Sequence, residues 1–418
     1  MRVLFLTQWF QPEPFFKGLP FAKALAARGH DVEVLTGFPN YPGGKVYPGH
    51  RVRLFQRGTM EGIRVNRVVL YPSHDKSAAR RILNYLSFTI SSCLLGPWMV
   101  RRPDVIYVYN LVTLAPAAFL MRFIFRCKVI LDVQDLWPES VANSQMLGCL
   151  AMLNLLNRIC GWVYRKADQL IVLSPGFKQE LVNRGVASDK VEVIYNWCDE
   201  SSIQTDVSPA DSTKPIEFSG KFVVLFAGTM GIAQGLDTVL DCARLSRGAL
   251  PDVLFVLIGG GVDRSRLQQR TEEMGLDNIA FLPLRPMETM GEIFALADAL
   301  IVHLKDDSLF RITIPSKTQA YLYMGKPIIM AVRGDAAALV EKAGAGNLCE
   351  PDNPLAMLDA VRSLHDTSES VRRKIGDAGH RYYMQHLSFE KGVRNFEQVM
   401  CSLIDPWARR NRTQRPHE

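Results

Sequence analysis

Eight cysteines lie scattered between Cys93 and Cys401 in this 418-residue chain, and no two of them form a C-x-x-C pair. That spacing argues against a zinc site or a disulfide framework and fits a reducing compartment. No G-x-G-x-x-G follows any strand-like run, so the dinucleotide fingerprint is missing. No D-x-D triplet occurs, and no cluster has metal-ligand spacing, which disfavours chemistry built on a carboxylate-held divalent metal. A secretory leader is not apparent either. Its apolar region runs to about 7–15 residues, whereas Val3–Leu6 is broken at once by Thr7, Gln8 and Pro12. That run reads as a first buried strand, and the chain is expected to stay in the cytoplasm unless another segment tethers it.

What is present describes a globular protein. Hydrophobic residues make up 48% and charged residues 22%, enough to bury a sizeable core, and the length suits two domains. Lys and Arg number 49 against 42 Asp and Glu, a net charge of +7. An excess that mild suits an anionic substrate or membrane surface as readily as nucleic acid.

Strand-like runs alternate with helical patterns along most of the chain. The first series is Val3–Leu6, Val32–Leu35, Val65–Leu70, Val105–Tyr109, Val129–Val133, Leu170–Leu173 and Val191–Ile194. Helical stretches such as Leu19–Arg28, with Gly29 as a stop, intervene. A Ser-, Asp-, Thr- and Pro-rich stretch from Asp199 to Gly220 reads as a linker. A second series then follows: Val223–Phe226, Leu254–Ile258, Ile279–Leu282, Ala299–Val302 and Ile328–Ala331. Continuous apolar strands separated by helices imply parallel sheets covered on both faces. The expected organisation is an α/β domain over 1–198, a linker over 199–220, and a second α/β domain over 221–385. The segment 386–418, with a helix at Phe389–Ile404, would cross back to the first. Ligands of such sheets bind beyond the strand carboxyl ends, so two facing domains are expected to hold theirs in a cleft.

Ile82–Val100 contains nineteen residues and no charge, between Lys76, Arg80 and Arg81 on one side and Arg101 and Arg102 on the other. As a helix it would reach about 28 Å, near the thickness of a bilayer's hydrocarbon. Three readings stay open: a spanning helix, diluted by Ser and Thr and broken by Pro97; a buried helix; and a helix lying in a lipid interface. A second apolar stretch, Met146–Val163, strengthens the lipid-facing one.

Three motifs carry chemistry. Gly228-Thr229-Met230-Gly231 with Gln234-Gly235 follows a strand and opens a helix, and Gly259-Gly260-Gly261 ends the next strand at the same edge. Such turns admit close approach by a phosphate, although a tight structural turn would have the same composition. Arg311 and Pro315-Ser316-Lys317 precede a helix, with Ser316 as expected N-cap. A lysine in a first turn opposes the helix dipole unless an anion sits there. Asp132-Val133-Gln134-Asp135 ends a buried strand and could position a hydroxyl.

Together these residues resemble retaining, two-domain GT-B glycosyltransferases of family four, and specifically bacterial transferases of N-acetylfucosamine-type sugars in O-antigen or capsule assembly. The resemblance rests on Leu35–Pro42, Gln134–Ser140, Ala167-Asp168 with Ser174–Phe177, Val193–Trp197, Gln234–Asp237, Pro315-Ser316-Lys317 and Gly325-Lys326-Pro327. It covers about residues 1–400. It implies two Rossmann-like domains, a UDP-sugar donor held by the second, and an undecaprenyl-diphosphate-linked sugar acceptor bound by the first. No cofactor or metal is implied. Asp135 would orient the acceptor or act as base, with Gln134 and Gly18 on the acceptor side. Arg311 and Lys317 would neutralise the leaving diphosphate. Gly228, Thr229, Gly231, Gln234, Gly259, Arg285, Ser316 and Gln319 would line the donor site. The chain departs from many relatives, with Thr229 and Gln234 where they carry Arg and Lys, and Ile312 and Ala320 where they carry a pair of glutamates. The chain is then expected in the cytoplasm, peripheral on the inner face of the cytoplasmic membrane; an epimerase of the same shape and a non-catalytic membrane-peripheral scaffold are the rival readings.

Overall fold

The computed structural model describes residues 1–73, 77–137, 150–203, 218 and 220–404. Lys76, Pro138–Ser140, Met146–Cys149 and most of the expected linker lie outside the described residues. Contacts divide the chain into two compact units. One comprises Met1–Leu173, Phe177–Ile194 and the chain from Val393; the other comprises Ser174–Gly176 and Tyr195–Gly392.

In the first unit the elements are β1 (Arg2–Leu6), α1 (Leu19–Ala27), β2 (Asp31–Gly37), β3 (Phe55–Met60), β4 (Ile63–Val68), α2 (Ala78–Met99), β5 (Val105–Tyr109), α3 (Ala115–Phe125), β6 (Lys128–Val133), α4 (Leu150–Lys166), β7 (Gln169–Val172), α5 (Pro175–Asn183) and β8 (Val191–Val193). The sheet order is β3-β4-β2-β1-β5-β6-β7-β8. All described pairings are parallel except β3–β4, an antiparallel hairpin at the edge. From β1 the chain moves one way to β2 and β4, then crosses to β5 and continues the other way. Right-handed crossovers therefore put α1 on one face of the sheet and α2, α3 and α4 on the other. The central strands are continuous apolar runs with both faces covered; Val3–Leu6 and Val105–Tyr109 are buried throughout.

The second unit contains β9 (Phe222–Ala227), α6 (Asp237–Ala249), β10 (Val253–Ile258), α7 (Arg264–Glu273), β11 (Ile279–Leu282), α8 (Met290–Leu296), β12 (Ala299–His303), α9 (Ser308–Arg311), α10 (Ser316–Tyr323), β13 (Ile328–Ala331), α11 (Asp335–Ala343), β14 (Gly346–Leu348), α12 (Pro354–His365) and α13 (Glu369–His386). The sheet runs β11-β10-β9-β12-β13-β14 and is parallel throughout its described pairings. Phe222, Val224 and Phe226 of β9 pack with Phe255 and Leu257 of β10 in one buried cluster, onto which α12 returns with Met357 and Val361. α14 (Phe389–Ile404) begins in the second unit. From Val393 it belongs to the first, where Phe396 meets Phe21 of α1 at 5.2 Å and Tyr107 of β5 at 5.6 Å between ring centroids.

Two expectations are corrected. The segment holding Ile82–Val100 is one helix that takes Pro97 inside its last turn, where only one further turn's hydrogen bonding is at stake. β3 and β14 had no counterpart among the expected strands.

Candidate active site

Strand order decides where to look. In each sheet the chain reverses its winding at one place, between β9 and β12 in the second unit and between β1 and β5 in the first. Ligands of doubly wound sheets bind outside the carboxyl ends of the strands flanking that reversal.

At the end of β9, Gly228 takes φ +138° and donates its N–H to Ile258 O at 2.9 Å. Gly259, with φ +139°, lies so close that a Cβ there would stand 2.0 Å from Gly228 O. Gly261, at φ +142°, would put a Cβ 2.3 Å from Met230 O. The two glycine turns thus pack backbone on backbone, which no other residue type permits. The Gln234 side chain accepts the Gly231 N–H at 3.0 Å, and its carbonyl accepts from Nδ1 of buried His303 at 2.7 Å. Since His303 Nε2 accepts the Asp352 N–H at 3.2 Å, the ring is the neutral Nδ1–H tautomer, and burial pulls its pKa lower still. Gln234 is therefore a brace of the turn. Thr229 is exposed beside it.

Lys317 reaches this turn from α10. Its Nζ lies 3.6 Å from the centroid of the Phe226 ring and 3.4 Å from where a Cβ on Gly228 would be. The nitrogen is buried and has no hydrogen-bond partner. Burial with no opposing charge pushes the amine down to about 7. Tyr321, one turn further on, ties the same helix to β9 by accepting the Ala227 N–H at 2.9 Å; nothing in the sequence marked it.

Three expected donor residues are placed differently from the sequence reading. Ser316 is the first helical residue and Pro315 the cap, with no side-chain capping bond. Gln319 is buried, and its amide nitrogen, turned inward, donates to Ser316 O at 3.0 Å and Pro315 O at 2.9 Å, so it holds the helix start together. Arg311 forms a two-pronged pair with Asp306, Nε to Oδ1 at 2.8 Å and Nη2 to Oδ2 at 3.0 Å, and Arg333 shares that carboxylate at 3.0 Å. Of the two cations expected at the phosphate, Arg311 is thus paired with a carboxylate, whereas the Lys317 amine has no hydrogen-bond partner. Arg285 stands in an exposed loop after β11.

In the first unit, Asp132 at the end of β6 is buried with Lys17, the two joined at 2.7 Å with both side chains out of solvent. Tyr107 Oη and Gln134 Nε2 donate to the same carboxylate, and the Lys17 ammonium sits 4.6 Å above the Phe396 ring. Gln134 thus spends its amide on Asp132. Asp135 is exposed at the loop that follows, and the surrounding protein pushes its carboxyl above the ordinary value. Gly18 caps α1; a Cβ on it would stand 2.2 Å from Gln11 Oε1, which accepts the Leu19 N–H at 2.6 Å. Asn110, just past β5, adopts φ +62° with a buried and unpartnered Oδ1. A non-glycine residue in that conformation at a reversal point is an acceptor-side candidate that composition could not reveal. Among the described residues no group of three or more His, Cys, Asp or Glu could hold a metal ion.

Two family models match successive stretches of the chain: a glycosyl transferase 4-like domain over residues 19–197 and glycosyl transferases group 1 over 208–381. WcaI of Escherichia coli K12, named for colanic acid biosynthesis, is 26% identical over 89% of this chain and 92% of its own. WbjE of Pseudomonas aeruginosa, named as a glycosyltransferase, is 24% identical over 70% and 74%. Among solved structures, Anabaena HepE in complex with UDP superposes with a TM-score of 0.67 at 16% identity, covering 96% of this chain and 100% of that one. Sucrose-phosphate synthase from Thermosynechococcus elongatus gives 0.68 at 16%, covering 96% and 99%. Both share the two parallel-sheet units of the GT-B fold. With each half matched by its own model and the fold matched throughout, the chain belongs to the group 1, family-four glycosyltransferases.

Proposed function

We propose that this chain transfers an N-acetylated 6-deoxy amino sugar, such as N-acetyl-L-fucosamine, from UDP to an undecaprenyl-diphosphate-linked sugar in O-antigen or capsule assembly, with retention at the anomeric carbon. The observation that carries the reading is Lys317. A buried ammonium over an aromatic ring, lacking any anionic partner and facing a glycine turn at a reversal point, is costly to fold and fits a phosphate. HepE, of the same fold, is solved with UDP, and WcaI, named for colanic acid biosynthesis, supports a role in polysaccharide assembly.

In this reading the second unit binds the donor. Backbone N–H groups of the glycine turns other than those of Gly228, Met230, Gly231 and Gly259, which are spent within the fold, meet the diphosphate together with those at the start of α10, and Lys317 offsets the charge that builds as the C1–O bond to the phosphate breaks. The acceptor hydroxyl forms its bond to C1 on the same face, and its proton passes to the departing phosphate oxygen. Asp135, with its raised pKa, orients that hydroxyl. The first unit binds the acceptor, with Gly18, Gln134 and Asn110 shaping the loops around it. Ser316 and Gln319 fix the helix start, Gly228, Gly231, Gly259, Thr229 and Gln234 form the cradle, and Arg285 lies towards the base.

The test is a panel of labelled nucleotide sugars with polyprenyl-diphosphate acceptors, scored for lipid-extractable product, together with Lys317→Ala. Losing one charged donor should lower turnover about tenfold or more. Wild-type turnover in that variant at saturating donor overturns the assignment. Isomerised sugar in the absence of acceptor would establish an epimerase instead.

A further inference from the structure

One face of the first unit is not a normal protein surface. The helices α2, α3 and α4 lie on the same side of the sheet and touch in sequence. Gly96 lets Met121 approach α2, its Sδ 3.3 Å from where a Cβ on Gly96 would be, and Phe119 of α3 meets Trp162 of α4 edge-on at 5.7 Å. Outward from this layer point Leu86, Ile90, Leu94 and Trp98, every fourth residue of α2, with Trp98 84% exposed. Phe123 of α3 is 83% exposed, and Trp162 of α4 is half exposed. On the opposite face of the sheet, α1 is instead covered by α14 through Phe21 and Phe396. Isolated exposed apolar residues need no explanation, but a layer of three neighbouring helices that all present them does.

Charge selects the occupant. Across the three helices there are six basic residues and no acidic one: Arg80 and Arg81 in α2, Arg122 in α3, and Arg158, Arg165 and Lys166 in α4; Arg122 is answered by Asp168 at 3.3 Å, so the excess rests on the other five. A second copy of the same face would set like charges against each other. An anionic lipid surface answers both the apolar stripe and the charge, with tryptophan and phenylalanine suited to the headgroup boundary. No described helix is long and apolar enough to cross a membrane, so the contact is one of lying on the surface.

The inner side of α2 says what that contact serves. Asn84, fully buried, binds Gln8 just past β1 and donates to Tyr71 O at 2.6 Å, and its Nδ2 is 3.4 Å from Asn40 Oδ1 past β2. Tyr85 lies edge-on to Trp9 at 6.0 Å. One helix thus has lipid-compatible residues on its outside and the carboxyl ends of β1 and β2 on its inside.

We propose that the first unit docks on an anionic bilayer through the α2–α3–α4 face, with Trp98 and Phe123 seated at the headgroup boundary, so that the loops following β1 and β2 stand at the membrane surface. This deepens the acceptor reading above, yet it is tested without any sugar.

The experiment is flotation of the full chain with vesicles of phosphatidylglycerol or phosphatidylcholine at low and high salt. Wild type should float with the anionic vesicles, less so at high salt. Trp98→Ser with Phe123→Ser should weaken binding by about tenfold or more, and Arg158→Glu should weaken it selectively at low salt. Tryptophan fluorescence quenched by brominated lipid should diminish in Trp98→Phe, whose flotation persists. Both altered positions are exposed, so unchanged melting and UDP binding in the double variant confirm that only the docking is lost. Undiminished flotation of the double variant overturns the proposal. So does a wild-type chain that ignores anionic vesicles but self-associates through this face.

Discussion

With its amine held near 7 by burial, Lys317 gives up a proton in the folded chain that the unfolded chain keeps up to lysine's ordinary value near 10.5. The unfolded state binds more protons across that window, so stability rises with pH there, and the penalty is fully present below pH 7. Lys317→Met should therefore melt higher than wild type at pH 6, with the gain shrinking towards pH 10, as read by thermal denaturation without ligand. UDP affinity should move oppositely to stability: titration calorimetry should show it falling as pH rises through 7 in wild type, and flat in Lys317→Met. The buried Lys17–Asp132 pair has a different logic. Lys17→Met alone strands a buried carboxylate and should cost about 3–5 kcal/mol in a denaturant titration, most of it recovered by adding Asp132→Asn. Lys317 drew attention in the sequence because a cation opposing a helix dipole asks for an anion, and the structure finds its amine buried without a hydrogen-bond partner. Lys17 did not, since its partner is 115 residues away. Arg311, five residues after Asp306, is paired with that carboxylate, a pairing the sequence reading did not weigh.

At the level of elements, the glycine turns separate structural from dispensable glycines. Gly259→Ala meets Gly228 O at 2.0 Å and also strains a positive φ, so it should lose roughly 1–3 kcal/mol or more of stability together with UDP binding. Gly260→Ala has nothing within 4 Å of its Cβ and should leave both nearly unchanged; equal effects from the two would remove the cradle geometry. Buried parallel strands were the most readable feature. Val105–Tyr109 and Ile328–Ala331 coincide with β5 and β13 because strands covered on both faces are uninterrupted apolar runs; Ile279–Leu282 coincides with β11, an apolar edge strand that is half-buried. β3, with the sequence Phe-Gln-Arg-Gly-Thr-Met, is exposed at an edge and paired on one side only, so no apolar period betrays it. β14 is three residues long and half-buried at the opposite edge of the other sheet.

For the molecule as a whole, two contact units predict two responses to ligand. UDP binds the second unit in our reading, so scanning calorimetry should show that it raises the transition of that unit and leaves any separate transition of the first in place. The reversal points were not visible in the sequence, because strand order is set by pairings between distant segments. Once order is known, they locate Gly228, Lys317 and Asn110 without reference to any motif.

The placement of α14 bears on synthesis. Phe396 supplies an aromatic wall against Phe21 and Tyr107, which lie hundreds of residues earlier. A ribosome making this chain must therefore finish the entire second unit before the first can seal its interior. Until then the earliest-made half waits with an open seam, and a chaperone has its best opportunity to bind there.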